Sequence, residues 1–150
     1  MRKKSSSRQK PARQYADFLG TIKLVGLALG ACSAKLDRGL YVAPDRAEKS
    51  LRTISADYKL TDVRKDYFDV SARFRLTVEH KTEPLTALTI ECEFAGHFHC
   101  GDSELSHELA DRFTQSELRI ILWPYFREFV NDITAKMSIP PILIPLATGK

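Results

Sequence analysis

Apolar side chains fall at every second position over two long stretches of the chain. From Phe68 to His80, the residues Phe68, Val70, Ala72, Phe74, Leu76 and Val78 alternate with Asp69, Ser71, Arg73, Arg75, Thr77 and Glu79. From Leu85 to Phe98, the residues Leu88, Ile90, Cys92, Phe94, Gly96 and Phe98 alternate with Ala87, Thr89, Glu91, Glu93, Ala95 and His97. A period of two puts each apolar set on one face, which predicts half-buried antiparallel strands. Lys81 to Pro84 supplies the turn between them. A weaker alternation runs from Glu48 to Leu60, with Ile54, Ala56, Tyr58 and Leu60 on one face and a polar turn over 61–66. Ile22 to Leu36 has almost no charge on either face and many small residues. Such a run suits a doubly buried strand or a buried helix. It is expected to form a long first strand whose small residues admit another backbone closely. A turn at Asp37-Arg38-Gly39 follows, then an apolar loop at Leu40-Tyr41-Val42-Ala43-Pro44. Successive strands joined by short turns predict a meander in which sequence neighbours pair.

The period changes after residue 100. Residues 103–111 predict a short helix, and Thr114-Gln115-Ser116-Glu117 reads as a capping box opening a longer one at Leu118. On a helical wheel Tyr125, Leu118, Phe129, Leu122, Ile133, Phe126, Val130 and Trp123 span an arc of about 160°, where one core uses roughly 100°. The surplus, assigned to Trp123, Phe126 and Val130, calls for a second surface: a subunit or a bound ligand. Pro124 lies inside this helix and predicts a kink, since it removes the bond to the Ile120 carbonyl. Pro140-Pro141 is expected to stop the helix, leaving an apolar tail, Pro141 to Leu146, along the body. Near the start, Gln14 to Thr21 suits one or two helical turns with Tyr15, Phe18 and Leu19 on one side.

Composition narrows the classes. The chain has 150 residues, 43% hydrophobic and 28% charged, as expected of one globular domain. Its net charge of +4 is local: residues 1–14 hold six basic residues and no acid, which leaves the remainder at −2. Residues 1–13 therefore read as a disordered basic tail and 14–150 as the domain. The body has no basic surplus for nucleic acid. Leu29-Gly30-Ala31-Cys32 resembles a lipoprotein cleavage site, but Asp17 and Lys23 interrupt its approach and the apolar run is minimal for a leader and too short to span a bilayer. Three scattered cysteines, Cys32, Cys92 and Cys100, suit a reducing cytoplasm. His97, His99, Cys100 and His107 lie close in sequence, yet match no zinc spacing. No GxSxG, P-loop, GxGxxG or HExxH motif is present, so no enzyme, metal or cofactor is expected.

Ile121 to Pro145, ILWPYFREFVNDITAKMSIPPILIP, resembles the C-terminal signature of SecB-type export chaperones: an apolar-aromatic-Pro-Tyr-x-Arg-Glu core, a long helix and a Pro-containing apolar tail. Leu122-Trp123-Pro124-Tyr125-Phe126-Arg127-Glu128 carries that core, with Phe126 where a small residue is usual. Glu91 to Phe98 is similar to the family's fourth strand. The resemblance is close from Leu85 to Leu146 and a matter of pattern before that. It implies an α+β fold, a four-stranded antiparallel sheet with a long kinked helix on one face, assembled as a homotetramer from two dimers. It implies an ATP-independent cytoplasmic holdase that takes unfolded polypeptides in apolar grooves. By this resemblance Leu40, Tyr41, Val42, Trp123 and Phe126 are candidates to line the groove, and Leu122, Tyr125, Phe129, Val130 and Ile133 to form subunit contacts. Glu91 falls where members that deliver to the SecA motor have a contacting acid, but Arg73 and Arg75 dilute the negative face and those members' extra C-terminal helix has no counterpart before Lys150. Divergent members serve antitoxins of toxin–antitoxin systems. The partners implied are unfolded clients and SecA or an antitoxin, with no nucleic acid and no membrane insertion.

Overall fold

The two alternating stretches lie side by side at the centre of one four-stranded antiparallel sheet in the computed structural model, which describes residues 9–41, 50–82, 85–101 and 104–147. The elements run α1 (Gln9–Thr21), β1 (Ile22–Leu36), β2 (Ser50–Val63), β3 (Tyr67–His80), β4 (Thr86–Cys100), α2 (His107–Ser116) and α3 (Leu118–Lys136). The sheet order is β1-β4-β3-β2. The expected meander holds for β2, β3 and β4. It fails for β1, which crosses over to pair with β4, aligning Leu24 with Phe98 and Leu36 with Leu88.

Register explains why the alternation was readable. Phe68 faces Phe98, Phe74 faces Cys92 and Leu76 faces Ile90 across β3 and β4, and all six lie on the buried face. Pairs directly opposite one another share a face, so the apolar rows of both strands add into one floor. Helices cover that floor. Phe113 of α2 meets Phe68 and Phe98 edge-on at 5.5 and 5.1 Å, and Phe18 of α1 joins them at 6.3 Å. At the other end Phe126 of α3 stacks on Phe74 at 4.7 Å, with Trp123 at 6.1 Å.

Several boundaries move. The first helix starts at Gln9, so residues 9–13 of the expected tail are helical; residues 1–8 lie outside the described residues. β2 runs on to Val63 through a register shift between Leu60 and Asp62, shortening the turn expected over 61–66. β4 likewise continues past Phe98 to Cys100. Strand β1 is not buried on both faces. It is one of the two edge strands, and Val25 and Leu29 stay 55% and 45% exposed.

The capping box is a further correction. Thr114 lies inside α2, fully buried, with its hydroxyl donating to the Ala110 carbonyl at 2.8 Å. The cap that exists is Ser106, whose Oγ accepts from the Leu109 amide. α2 passes into α3 through Glu117, which keeps helical backbone angles and makes no side-chain cap. Tyr15 of α1 braces this joint: its hydroxyl reaches Ser116 and Glu117, and Arg112 sits 3.8 Å over its ring.

α3 continues without a break through Pro124. It ends before Pro140-Pro141, not at them. Ser138 adopts φ 56°, its amide donates to Ala135 and the Ile139 amide to Thr134. That pair of bonds is a Schellman stop, which satisfies the last carbonyls and turns the chain.

Candidate functional site

Rows four residues apart sort the broad apolar arc of α3. Leu118, Leu122, Phe126, Val130 and Thr134 form one row and are all fully buried in the chain, with Trp123 beside them. Residues 121, 125, 129 and 133 form the flanking row. Ile121, Phe129 and Ile133 are half-buried and Tyr125 is 40% exposed. The surplus therefore lies on the Tyr125 side, opposite to the assignment made from the wheel. A wheel gives the width of an arc but not which part of it meets the sheet. Of the residues considered for subunit contact, Leu122 and Val130 are spent on the chain's own core, while Tyr125, Phe129 and Ile133 retain free surface.

Of the groove candidates, Phe126 is buried under the sheet against Phe74 and Trp123 is almost as enclosed. Leu40 and Tyr41 are half-exposed and lie at a turn. Asp37 holds it: its carboxylate accepts from the Gly39 amide at 2.9 Å and its carbonyl from the Tyr41 amide at 2.9 Å. Arg38 then donates to the Met137 carbonyl, tying this turn to the end of α3. Partial burial raises the Tyr41 hydroxyl above its ordinary pKa, against the opposing charge of Arg52. Val42 lies outside the described residues.

The tail beyond α3 is a component that sequence reading reduced to general packing. Ile142 and Ile144 are buried, whereas Leu143 and Leu146 are 85% and 72% exposed. The Trp123 indole N–H donates to the Pro145 carbonyl at 2.6 Å. Two buried aliphatic side chains contribute about 1.5–3 kcal/mol each and the hydrogen bond about 1 kcal/mol. Ordering the backbone costs about 1–2 kcal/mol per residue, lowered here by Pro140, Pro141 and Pro145.

The opposite face of the sheet carries the charges. Arg73 pairs with Glu93 at 2.9 Å and Arg75 with Glu91, each residue directly opposite its partner on β3 and β4. The hydrogen bonds from Arg73, and then from Ser71, hold the Glu93 carboxyl below its usual range. At the end of the same face, the Nδ1 of His97 donates to Asp69, which also accepts from Arg64 at 2.6 Å. Partial burial would raise the Asp69 pKa, but those two donors outweigh it and the group is lowered. Tyr67 stacks on His97 at 4.9 Å and meets His99 at 4.7 Å.

His97 and His99 thus point away from the core, while Cys92 and Cys100 point into it. Burial pushes the Cys92 thiol up to about 12 and the Cys100 thiol to about 11. Among the described residues, no group of three or more His, Cys, Asp or Glu is placed to hold a metal. No helix among them is long and apolar enough to cross a membrane.

With this geometry in place, comparisons with known proteins give three findings. The family model described as "Preprotein translocase subunit SecB" matches residues 46–146. The SecB-like chaperones Rv1957 and MT2006, from the H37Rv and CDC 1551 strains of Mycobacterium tuberculosis, are each 29% identical over 70 residues, 44% of this chain. That match spans 39% of the relatives' length. A solved structure of Rv1957 in complex with a ChAD peptide from the HigA1 antitoxin superimposes with a TM-score of 0.75 at 19% identity, covering 92% of this chain and 99% of the other. At that identity the likeness speaks for the fold.

Proposed function

The chain belongs to the SecB family, and on that premise we propose that it is an ATP-independent holdase for unfolded polypeptides. The observation that carries this reading is apolar surface the protomer leaves uncovered. It comprises the β1 row at Val25 and Leu29, Tyr125 on α3, and Leu143 and Leu146 on the tail. A contiguous exposed apolar patch marks a contact site for another chain, and these side chains are proposed to supply one. The half-exposed Leu40 and Tyr41 are proposed to line the groove, and no catalytic residue is assigned. The free edge of β1 and the Tyr125, Phe129 and Ile133 row are proposed to build a homotetramer as a dimer of dimers in the cytoplasm. The test is aggregation of a chemically unfolded model protein on dilution, with and without this chain. Suppression near one assembly per client is expected; no suppression at excess would reject the reading.

A second reading, a dedicated chaperone for one partner such as an antitoxin, has a specific observation in its favour. Glu91 and Glu93 are each neutralised by a facing arginine. A motor that docks on free acids finds few here, so delivery to SecA and a role in export are the weaker proposals. The solved Rv1957 complex holds an antitoxin peptide, which makes antitoxin peptides the first partners to try. Pull-down returning one partner, with no suppression of general aggregation, would select this reading over the first.

A further inference from the structure

The seated tail covers apolar surface beside Trp123, beyond the α3 end to which the turn at Leu40 and Tyr41 is tied. We propose that this surface, covered here by residues 141–147, is itself a peptide-binding groove whose present occupant is the chain's own tail, and that it takes extended client segments with aliphatic side chains two residues apart. This deepens the holdase reading and rests on it.

Three observations carry the inference. The tail alternates in burial: Ile142 in, Leu143 out, Ile144 in. That is how an extended peptide sits in a groove that reads every second side chain. The polar contact goes to a backbone carbonyl, from Trp123 to Pro145, so it is open to any extended peptide whatever its sequence. Among the described residues, no backbone–backbone hydrogen bond joins 141–147 to the rest of the chain. The tail is thus held by Ile142 and Ile144, by the partly buried Ala147 and by one indole, and a client with the same spacing makes the main contacts. Trp123, enclosed while the tail is seated, then becomes a groove residue once the tail leaves.

The test uses the full chain. Ile142→Ser/Ile144→Ser loosens the tail, and Ile142→Ser alone loosens it in part. The probe is a fluorescein-labelled peptide of the sequence PILIPLA, followed by anisotropy. Trp123 is the chain's one tryptophan, so its emission reports release of the tail. The double variant should show a red-shifted emission and bind the probe at least tenfold more tightly than the parent chain, with Ile142→Ser in between. A probe with serine at both isoleucine positions should not bind. Unshifted emission in the folded double variant, or equal probe binding by the parent and both variants, overturns the proposal. If the double variant does not fold, equal binding by the parent and Ile142→Ser overturns it alone. A parent chain that suppresses aggregation while the variants ignore the probe would keep the holdase reading and remove this groove.

Discussion

Phe74 is the side chain around which one end of the core closes. It touches Phe94, Phe126, Trp123 and Tyr58. Phe126 is its stacked partner and is fully buried, so Phe126→Ala should cost about 3–5 kcal/mol, part transfer and part cavity. Chemical denaturation of the variant checks this; a loss below 1 kcal/mol would return Phe126 to a surface role. On the other face, the lowered carboxyls set a pH dependence. Asp69 and Glu93 lie below their unfolded values of 3.8 and 4.5. Their contribution is therefore fully present above those values and is lost as pH falls through the lower folded values. Asp69→Asn and Glu93→Gln should each destabilise the chain at pH 7, and the deficit should shrink by pH 3. Denaturant midpoints at the two pH values decide it, and a deficit that grows on acidification would contradict the pairing.

Among the elements, α3 shows how a helix divides its apolar surface. Its row of 118, 122, 126, 130 and 134 is buried in the core, and its row of 121, 125, 129 and 133 is covered only in part. Its end is set by Ser138 in a left-handed conformation. A non-glycine residue there costs roughly 1–2 kcal/mol. Ser138→Gly should relieve part of that cost, raising stability by about 0.5–1 kcal/mol in thermal melts without altering helix content. A drop in stability would mean the serine side chain has a contact that matters more than its backbone angle. Strand β1 is the complementary case: a long apolar strand with one paired edge, in a position where most proteins place charge or proline.

For the molecule as a whole, β1 is where the fold meets the proposed assembly. Its open edge and its uncovered Leu29 are the proposed route to the dimer. Leu29→Glu should lower the mass measured by light scattering at micromolar concentration while far-UV circular dichroism stays unchanged. An unchanged mass would place the subunit contact elsewhere.

The sequence alone carried the strands, the sheet's two faces and the long helix, because period-two and period-3.6 burial are properties of the local chain. It also carried the family likeness, through Leu122 to Glu128. It misplaced the cap at Thr114 because a capping box and an i−4 hydroxyl bond use the same residue types, and only the depth of Thr114 under the sheet separates them. Alternation alone did not place β1 beside β4, since a period of two sets a strand's faces and not its neighbour, although the family likeness implied a crossover after the first strand. The direction in which α3 faces, and so the fates of Trp123, Phe126 and Tyr125, was decided by tertiary packing. A broad apolar arc can roll against a sheet in several ways at similar cost, and the stacking of Phe126 on Phe74 chooses among them.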